Sequence, residues 1–182
     1  CRRNGDPGRP TPRVRRRCRP FDIRHSLFDI RYSPFYTVAG AMRIISGEYR
    51  GRRLLPPPGR VTRPMTDRVK ESLFNVLVSV GVFDGEPRVL DVFCGTGSMG
   101  LECLSRGVEH VTFVDRDRDA RRRLEQNLQA FRETERARIL SVDALRGDWP
   151  RRVEGPIDLV FLDPPYAMLR EAKTAKRVTE LT

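Results

Sequence analysis

The chain has 182 residues, 38% hydrophobic and 32% charged, with 35 Lys and Arg against 24 Asp and Glu for a formal net charge of +11. That length allows one domain with a core of its own and room for an appendage. No apolar run reaches the roughly 20 residues of a membrane span. Its cysteines, Cys1, Cys18, Cys94 and Cys103, form neither a CxxC pair nor a cluster with His, which argues against a zinc site or disulfide framework and for reduced thiols in the cytoplasm.

The charge is uneven. Lys and Arg number 10 against 3 acids over residues 1–41 and 8 against 2 over 42–70, but 17 against 19 over 71–182. Basic character therefore belongs to the front of the chain, where it points to nucleic acid, while the remainder reads as an ordinary globular sequence.

Residues 1–41 mix Arg, Pro and Gly with little to bury, so a disordered extension is expected. FDIRHSL and FDIRYSP, at 21–27 and 28–34, are a near-duplication too short for a solenoid. Because MRIISG at Met42 reads as a natural start, the extension is expected to be upstream sequence and not native. A basic arm on phosphates and an organellar transit peptide are the competing readings.

Residues 42–83 are expected to form a short hairpin and a helix. In MRIISGEYRGRRLL, Gly47 and Gly51 mark turns and leave Arg50, Arg52 and Arg53 exposed. PPPG at 56–59 breaks the pattern. Thr66 or Asp67 then caps a helix whose stripe is Val69, Leu73, Val76, Leu77 and Val80, with Gly81 as its stop.

Residues 84–182 alternate strand and helix. PRVLDVF is a strand, SMGLECLSRG a helix, HVTFVD a strand, and RDARRRLEQNLQAF a helix with Ala120, Leu124, Leu128 and Phe131 inward. ARILSVD and IDLVFLD give two more strands, and MLREAKTAKRVTEL a last helix. Regular alternation with apolar strands predicts an α/β doubly wound parallel sheet, which binds ligands beyond the carboxyl ends of its strands.

The polar signals fall at those ends. Gly95-Thr96-Gly97-Ser98-Met99-Gly100 fits GxGxxG between a strand and a helix, and Asp115 ends the next strand twenty positions after Gly95, where a carboxylate can accept from ribose hydroxyls. A lone glycine match would mean only a tight turn; paired with that acid, it points to a nucleoside cofactor. Asp91 lies inside the strand before the glycines, which counts against a nicotinamide dinucleotide. Asp143 closes the third strand.

VLDVFCGTGSMG resembles the first motif of class I S-adenosylmethionine-dependent methyltransferases, whose fold is a Rossmann-like sheet. That resemblance implies S-adenosylmethionine at Asp91, Phe93, Gly95, Thr96, Gly97 and Gly100, its ribose at Asp115 and its adenine amino group near Asp143. It makes 84–182 the cofactor-binding domain. DPPY, at Asp163, Pro164, Pro165 and Tyr166, is similar to the (D/N)PP(Y/F) motif of methyltransferases that modify an exocyclic or amide nitrogen. The prolines must end the strand. Asp163 and the Pro164 carbonyl would each accept one N–H of the target amine, Pro165 would stiffen the turn, and Tyr166 would stack on a flipped-out base.

MRIISGEYRGRRLLPPPG followed by TRPMTDRVKESLFNVL resembles, more narrowly, the RsmD family of 16S ribosomal RNA guanine-N2 methyltransferases, over residues 42–169. Met65 and Lys70 stand where that family commonly has threonine and arginine. The resemblance implies methylation of a guanine N2 amine in 16S rRNA of the small ribosomal subunit by a cytoplasmic monomer without a metal. Arg43, Arg50, Arg52, Arg53, Arg60, Arg63 and Arg68 would then hold the rRNA backbone. Family members continue past DPPY into three more strands, so a sheet truncated after its fourth strand is expected. The alternatives are a DNA adenine-N6 enzyme, which would need a separate target-recognition domain, a protein-glutamine enzyme, disfavoured by Asp at 163, an inactive fragment that binds cofactor and RNA, and a nicotinamide oxidoreductase.

Overall fold

A computed structural model describes residues 42–56, 66–147, 149–170 and 176, without the side chains of Tyr166 and Ala167. The expectations for 1–41, for 57–59, for Arg60, Arg63 and Met65, and for 171–175 and 177–181 of the final helix lie outside these residues. Four parallel strands, β1 (Arg88–Val92), β2 (His110–Val114), β3 (Ala137–Leu140) and β4 (Leu159–Leu162), form one sheet in the order β3-β2-β1-β4. Leu140, Val114, Val92 and Leu162 line up as one row across it.

α2 (Ser98–Ser105) joins β1 to β2, and α3 (Arg118–Phe131) joins β2 to β3. Both pack on one face: Val89, Val111, Phe113 and Phe161 of the sheet meet Leu101 and Leu104 of α2 and Leu124, Leu128 and Phe131 of α3 in one cluster. Each such side chain, fully buried, is worth about 1.5–3 kcal/mol. The inward set expected for α3 is buried, and Asn127, which was not expected there, is buried with it. The chain from β3 to β4 crosses the opposite face, where Leu90, Val92, Val114 and Leu140 pack with Ala144 and Trp149. This change of face puts the topological switch between β1 and β4, the place where such sheets open a crevice.

Ahead of the sheet, residues 42–54 fold into a hairpin through an antiparallel bridge of Arg43 with Arg53 and bonds from Ile44 N to Arg52 O (2.9 Å) and Leu54 N to Met42 O (2.8 Å). Gly47 is required there: its φ is +82°, and a Cβ would lie 1.9 Å from the Ser105 carbonyl oxygen. α1 (Asp67–Ser79) follows, capped by the Thr66 hydroxyl, which accepts from Val69 N.

The stripe expected on α1 is only partly the face it buries: Leu73 and Leu77 pack against the core, but its valines do not. Lys70 and Phe74 are buried, Leu73 and Leu77 half-buried, whereas Val69, Val76 and Val80 are exposed, Val80 to 67%. The helix docks through Phe74 and through a lysine whose charge is neutralised inside the protein, an arrangement that hydropathy alone points the wrong way.

Candidate active site

The site begins where β1 stops. Phe93 takes a left-handed conformation, φ +61°, which is uncommon for a bulky side chain. The kink lets two successive amides, Phe93 N (2.9 Å) and Cys94 N (3.2 Å), donate to the Val114 carbonyl, and a turn closed by Gly97 N on Cys94 O (2.8 Å) then leads into α2. Gly97, at φ +83°, is the N-cap of α2 and has no side chain to cap it.

Asp91 serves that end from beneath. Its Oδ2 accepts the Gly100 amide at 2.9 Å in the first turn of α2. Burial pushes its carboxyl up to about 7; the Gly100 bond opposes this, and the charges of Asp163 and Asp115 add to it. Among the described residues Gly100 is its one hydrogen-bond partner. A carboxylate so buried and so little bonded suits a cationic ligand group, which is the fit an ammonium would supply.

Asp115, one residue past β2, accepts from Gly95 N through Oδ2 (2.7 Å) and from Asp117 N through Oδ1 (2.8 Å). It therefore fixes the glycine turn from the next strand. Asp143 lies three residues beyond β3, in a turn where it accepts from Leu145 N (3.0 Å) and Arg116 Nη1 (2.9 Å), with Arg146 Nε at 3.7 Å. Burial acts upward on its carboxyl, but these donors outweigh it and hold it below its ordinary value.

Asp163 follows β4, its amide reaching Val92 O at 3.4 Å. Its side chain opens to solvent on one side, while protein crowded around the other raises its carboxyl above the usual range. Val92 pairs with Leu162 as the last pair of the two strands, so Phe93 and Asp163 are the residues that follow at adjacent strand ends. Pro164 and Pro165 lead into α4 (Tyr166–Leu169), whose last turn is held by Met168 N on Pro165 O at 2.8 Å. The structure thus brings Asp91, Phe93, Gly95, Thr96, Gly97, Gly100, Asp115 and Asp163 to one end of the sheet, with Asp143 on its β3 flank.

The arginines separate into two kinds. Arg50, Arg53 and Arg68 are exposed. Arg43 is paired with Asp67 at 2.7 Å, and with Arg50, Asp67 and Glu71 it lines a cleft of about 190 Å³ beside the hairpin. Arg52 is engaged with the protein: it donates to Ala130 O at 2.6 Å and lies 4.3 Å above the Phe131 ring.

A polar hub behind the glycine turn escaped the sequence reading. Glu102, fully buried, accepts from Ile45 N (2.8 Å), Ser46 N (3.0 Å) and Arg106 Nη2 (2.9 Å), and Lys70 Nζ lies 3.1 Å away. Its signal was an acid in the otherwise apolar SMGLECLS, a position a solvent-facing residue would not share with so many buried neighbours. Among the described residues, no group of three or more His, Cys, Asp or Glu could hold a metal ion, and no helix is long and apolar enough to cross a membrane.

A family model described as Conserved hypothetical protein 95 matches residues 42–181. YlbH of Bacillus subtilis (strain 168), provisionally named an rRNA methyltransferase, is 45% identical over 126 residues, which are 69% of this chain and 67% of that protein. Ribosomal RNA small subunit methyltransferase D of Escherichia coli (strain K12) is 38% identical over 133 residues, 73% of this chain and 64% of that protein. The solved structure of yhhF from Escherichia coli, provisionally named a methyltransferase, matches with a TM-score of 0.60 at 35% identity, covering 78% of this chain and 72% of that one. The chain thus spans about two thirds of the length of these curated relatives.

Proposed function

The chain belongs to the conserved hypothetical protein 95 family, the RsmD family, and from that membership we propose that it methylates the exocyclic N2 amine of a guanine in 16S rRNA of the small ribosomal subunit. S-adenosylmethionine is the proposed methyl donor, and a cytoplasmic monomer the proposed working form. The observation that carries the reading is the pairing of Val92 with Leu162. It sets the glycine turn and the DPPY turn side by side at the switch point, which supports a cofactor held by one facing a base held by the other.

S-adenosylmethionine supplies a methyl group made electrophilic by the sulfonium. Asp91 would hold its ammonium end, the first-turn amides of α2 its carboxylate, and Asp115 its ribose. A guanine amine is a weak nucleophile because its lone pair is delocalised into the ring. Asp163 and the Pro164 carbonyl, each accepting one N–H, would turn that lone pair out of the ring plane toward the methyl group. The amine becomes acidic only as it acquires the methyl, and the raised carboxyl of Asp163 suits it to take the proton then. Tyr166 would stack on the base, and Arg50, Arg53, Arg63 and Arg68 would contact rRNA phosphates.

The test is incubation with labelled S-adenosylmethionine and unmethylated 30S particles, followed by nucleoside analysis. Label should appear as N2-methylguanosine. Asp163→Ala should abolish it while S-adenosylmethionine affinity stays within a few-fold; an active Asp163→Ala variant would overturn the assignment.

A further inference from the structure

Two buried polar side chains, on different helices, tie the same pair of segments together. Asn127 of α3 is 2% exposed; its Oδ1 accepts from Leu55 N at 2.9 Å, and its Nδ2 donates to Thr96 O at 3.3 Å. Lys70 of α1 donates from Nζ to Arg43 O at 2.8 Å and to Ser98 Oγ at 3.3 Å. Arg43 and Leu55 are the two roots of the basic hairpin. Thr96 and Ser98 are the two neighbours of Gly97.

Both roots of the hairpin are therefore fastened across the glycine turn. An apolar residue at position 127 would pack as Leu124 and Leu128 do on the same face of α3, but it would leave the Leu55 amide and the Thr96 carbonyl without these bonds. The amide is satisfied in one orientation only, since reversing it would set NH2 against the Leu55 N–H and oxygen against the Thr96 carbonyl. Asp115 also holds the glycine turn and Glu102 also holds the hairpin. Among the described residues, however, Asn127 and Lys70 are the side chains that bond the residues flanking Gly97 to the roots of the hairpin, which gives a shift of the turn a direct route to it.

We propose that Asn127 and Lys70 are positioning residues that couple the glycine turn to the basic hairpin, so that cofactor binding and RNA-backbone binding strengthen each other. The proposal rests on the function proposed above. Coupling is reciprocal by linkage, and a factor of about 5–150 is usual for such networks.

The test follows amide hydrogen exchange at Leu55 and S-adenosylmethionine affinity in the whole chain. In the unsubstituted protein, saturating S-adenosylmethionine should slow Leu55 exchange, and unmethylated 30S particles should raise S-adenosylmethionine affinity by on the order of tenfold. Asn127→Asp keeps the acceptor for Leu55 N and loses the donor to Thr96; it should still bind S-adenosylmethionine yet show neither response. Ser98→Ala leaves Lys70 its bonds to Arg43 O and Glu102 and should weaken both responses on its own, so the proposal stays testable if Asn127→Asp does not fold. Responses of full size in both variants, or S-adenosylmethionine binding without either response in the unsubstituted protein, would overturn the coupling and leave the function standing. No S-adenosylmethionine binding at all would instead overturn the function, and the coupling with it.

Discussion

Lys70 Nζ and Glu102 Oε2 meet 3.1 Å apart with side chains 3% and 0% exposed, joining α1 to α2 through a charge pair inside the protein. Burial draws the lysine below its ordinary value, and Glu102 opposes that pull. The pair holds because Glu102 is also bonded to two hairpin amides and to Arg106, whose guanidinium lies 4.7 Å over the Phe74 ring.

Glu102→Ala should therefore destabilise the fold by about 3–5 kcal/mol, because it leaves a buried ammonium uncompensated. Pairing Lys70→Met with Glu102→Met should recover part of that loss but not all, since the Ile45 and Ser46 amides still lose their acceptor. Urea unfolding of these two variants and the unsubstituted chain measures this. Equal stability of Glu102→Ala and the unsubstituted chain would contradict the hub.

Asp91 predicts how stability depends on pH. Its carboxyl is raised from 3.8 to about 7 in the folded chain, so between those values the folded state holds a proton that the unfolded state has released. Stability should fall as pH rises through that window and level off above about 7, by at most about 4 kcal/mol at 1.4 kcal/mol per unit. Asp91→Asn, which keeps an acceptor for Gly100 N, should flatten the profile in thermal melts between pH 4 and 8. S-adenosylmethionine should also bind more tightly as pH rises through 7, because its ammonium needs the ionised carboxylate.

Gly100 tests the packing beneath the glycine turn. A Cβ there would lie 2.3 Å from Phe113 Cε1 and 2.8 Å from Val111 Cγ1, both fully buried. Gly100→Ala should cost roughly 1–3 kcal/mol by overpacking, and adding Phe113→Leu should return part of it. A shift in the midpoint of thermal unfolding reads both.

Arg50 and Arg52 should behave differently although both are exposed. Arg50→Ala should weaken association with 30S particles and lower its salt dependence by about one phosphate contact. Arg52→Ala should chiefly reduce stability, because its guanidinium is bonded to Ala130 O and stacked on Phe131. Filter binding at several salt concentrations, alongside melting curves, separates the two.

What could be read from the chain in advance was what periodicity and turn chemistry carry. The strands, the apolar inward set of α3, and the placing of the glycine and DPPY turns at strand ends follow from local pattern, whereas the adjacency of β1 and β4 that brings those two turns together came only from the structure. Long-range polar pairing was not readable. Nothing near Lys70 in sequence announces Glu102, 32 positions on, so the valines of α1 looked like its inner face. Arg52 looked free because Phe131 and Ala130 reach it only after α3 has folded back. Asp143 looked like a strand end, but β3 stops at Leu140 and a turn intervenes.

The pairing of Val92 with Leu162 also limits how such a site could drift. Slipping β4 by one step would displace Asp163 by about 3.3 Å and turn its side chain to the other face of the sheet, further than any adjustment of the loops could correct. An insertion or deletion of a single residue within β1 or β4 should therefore be lethal to activity even where the chain still folds.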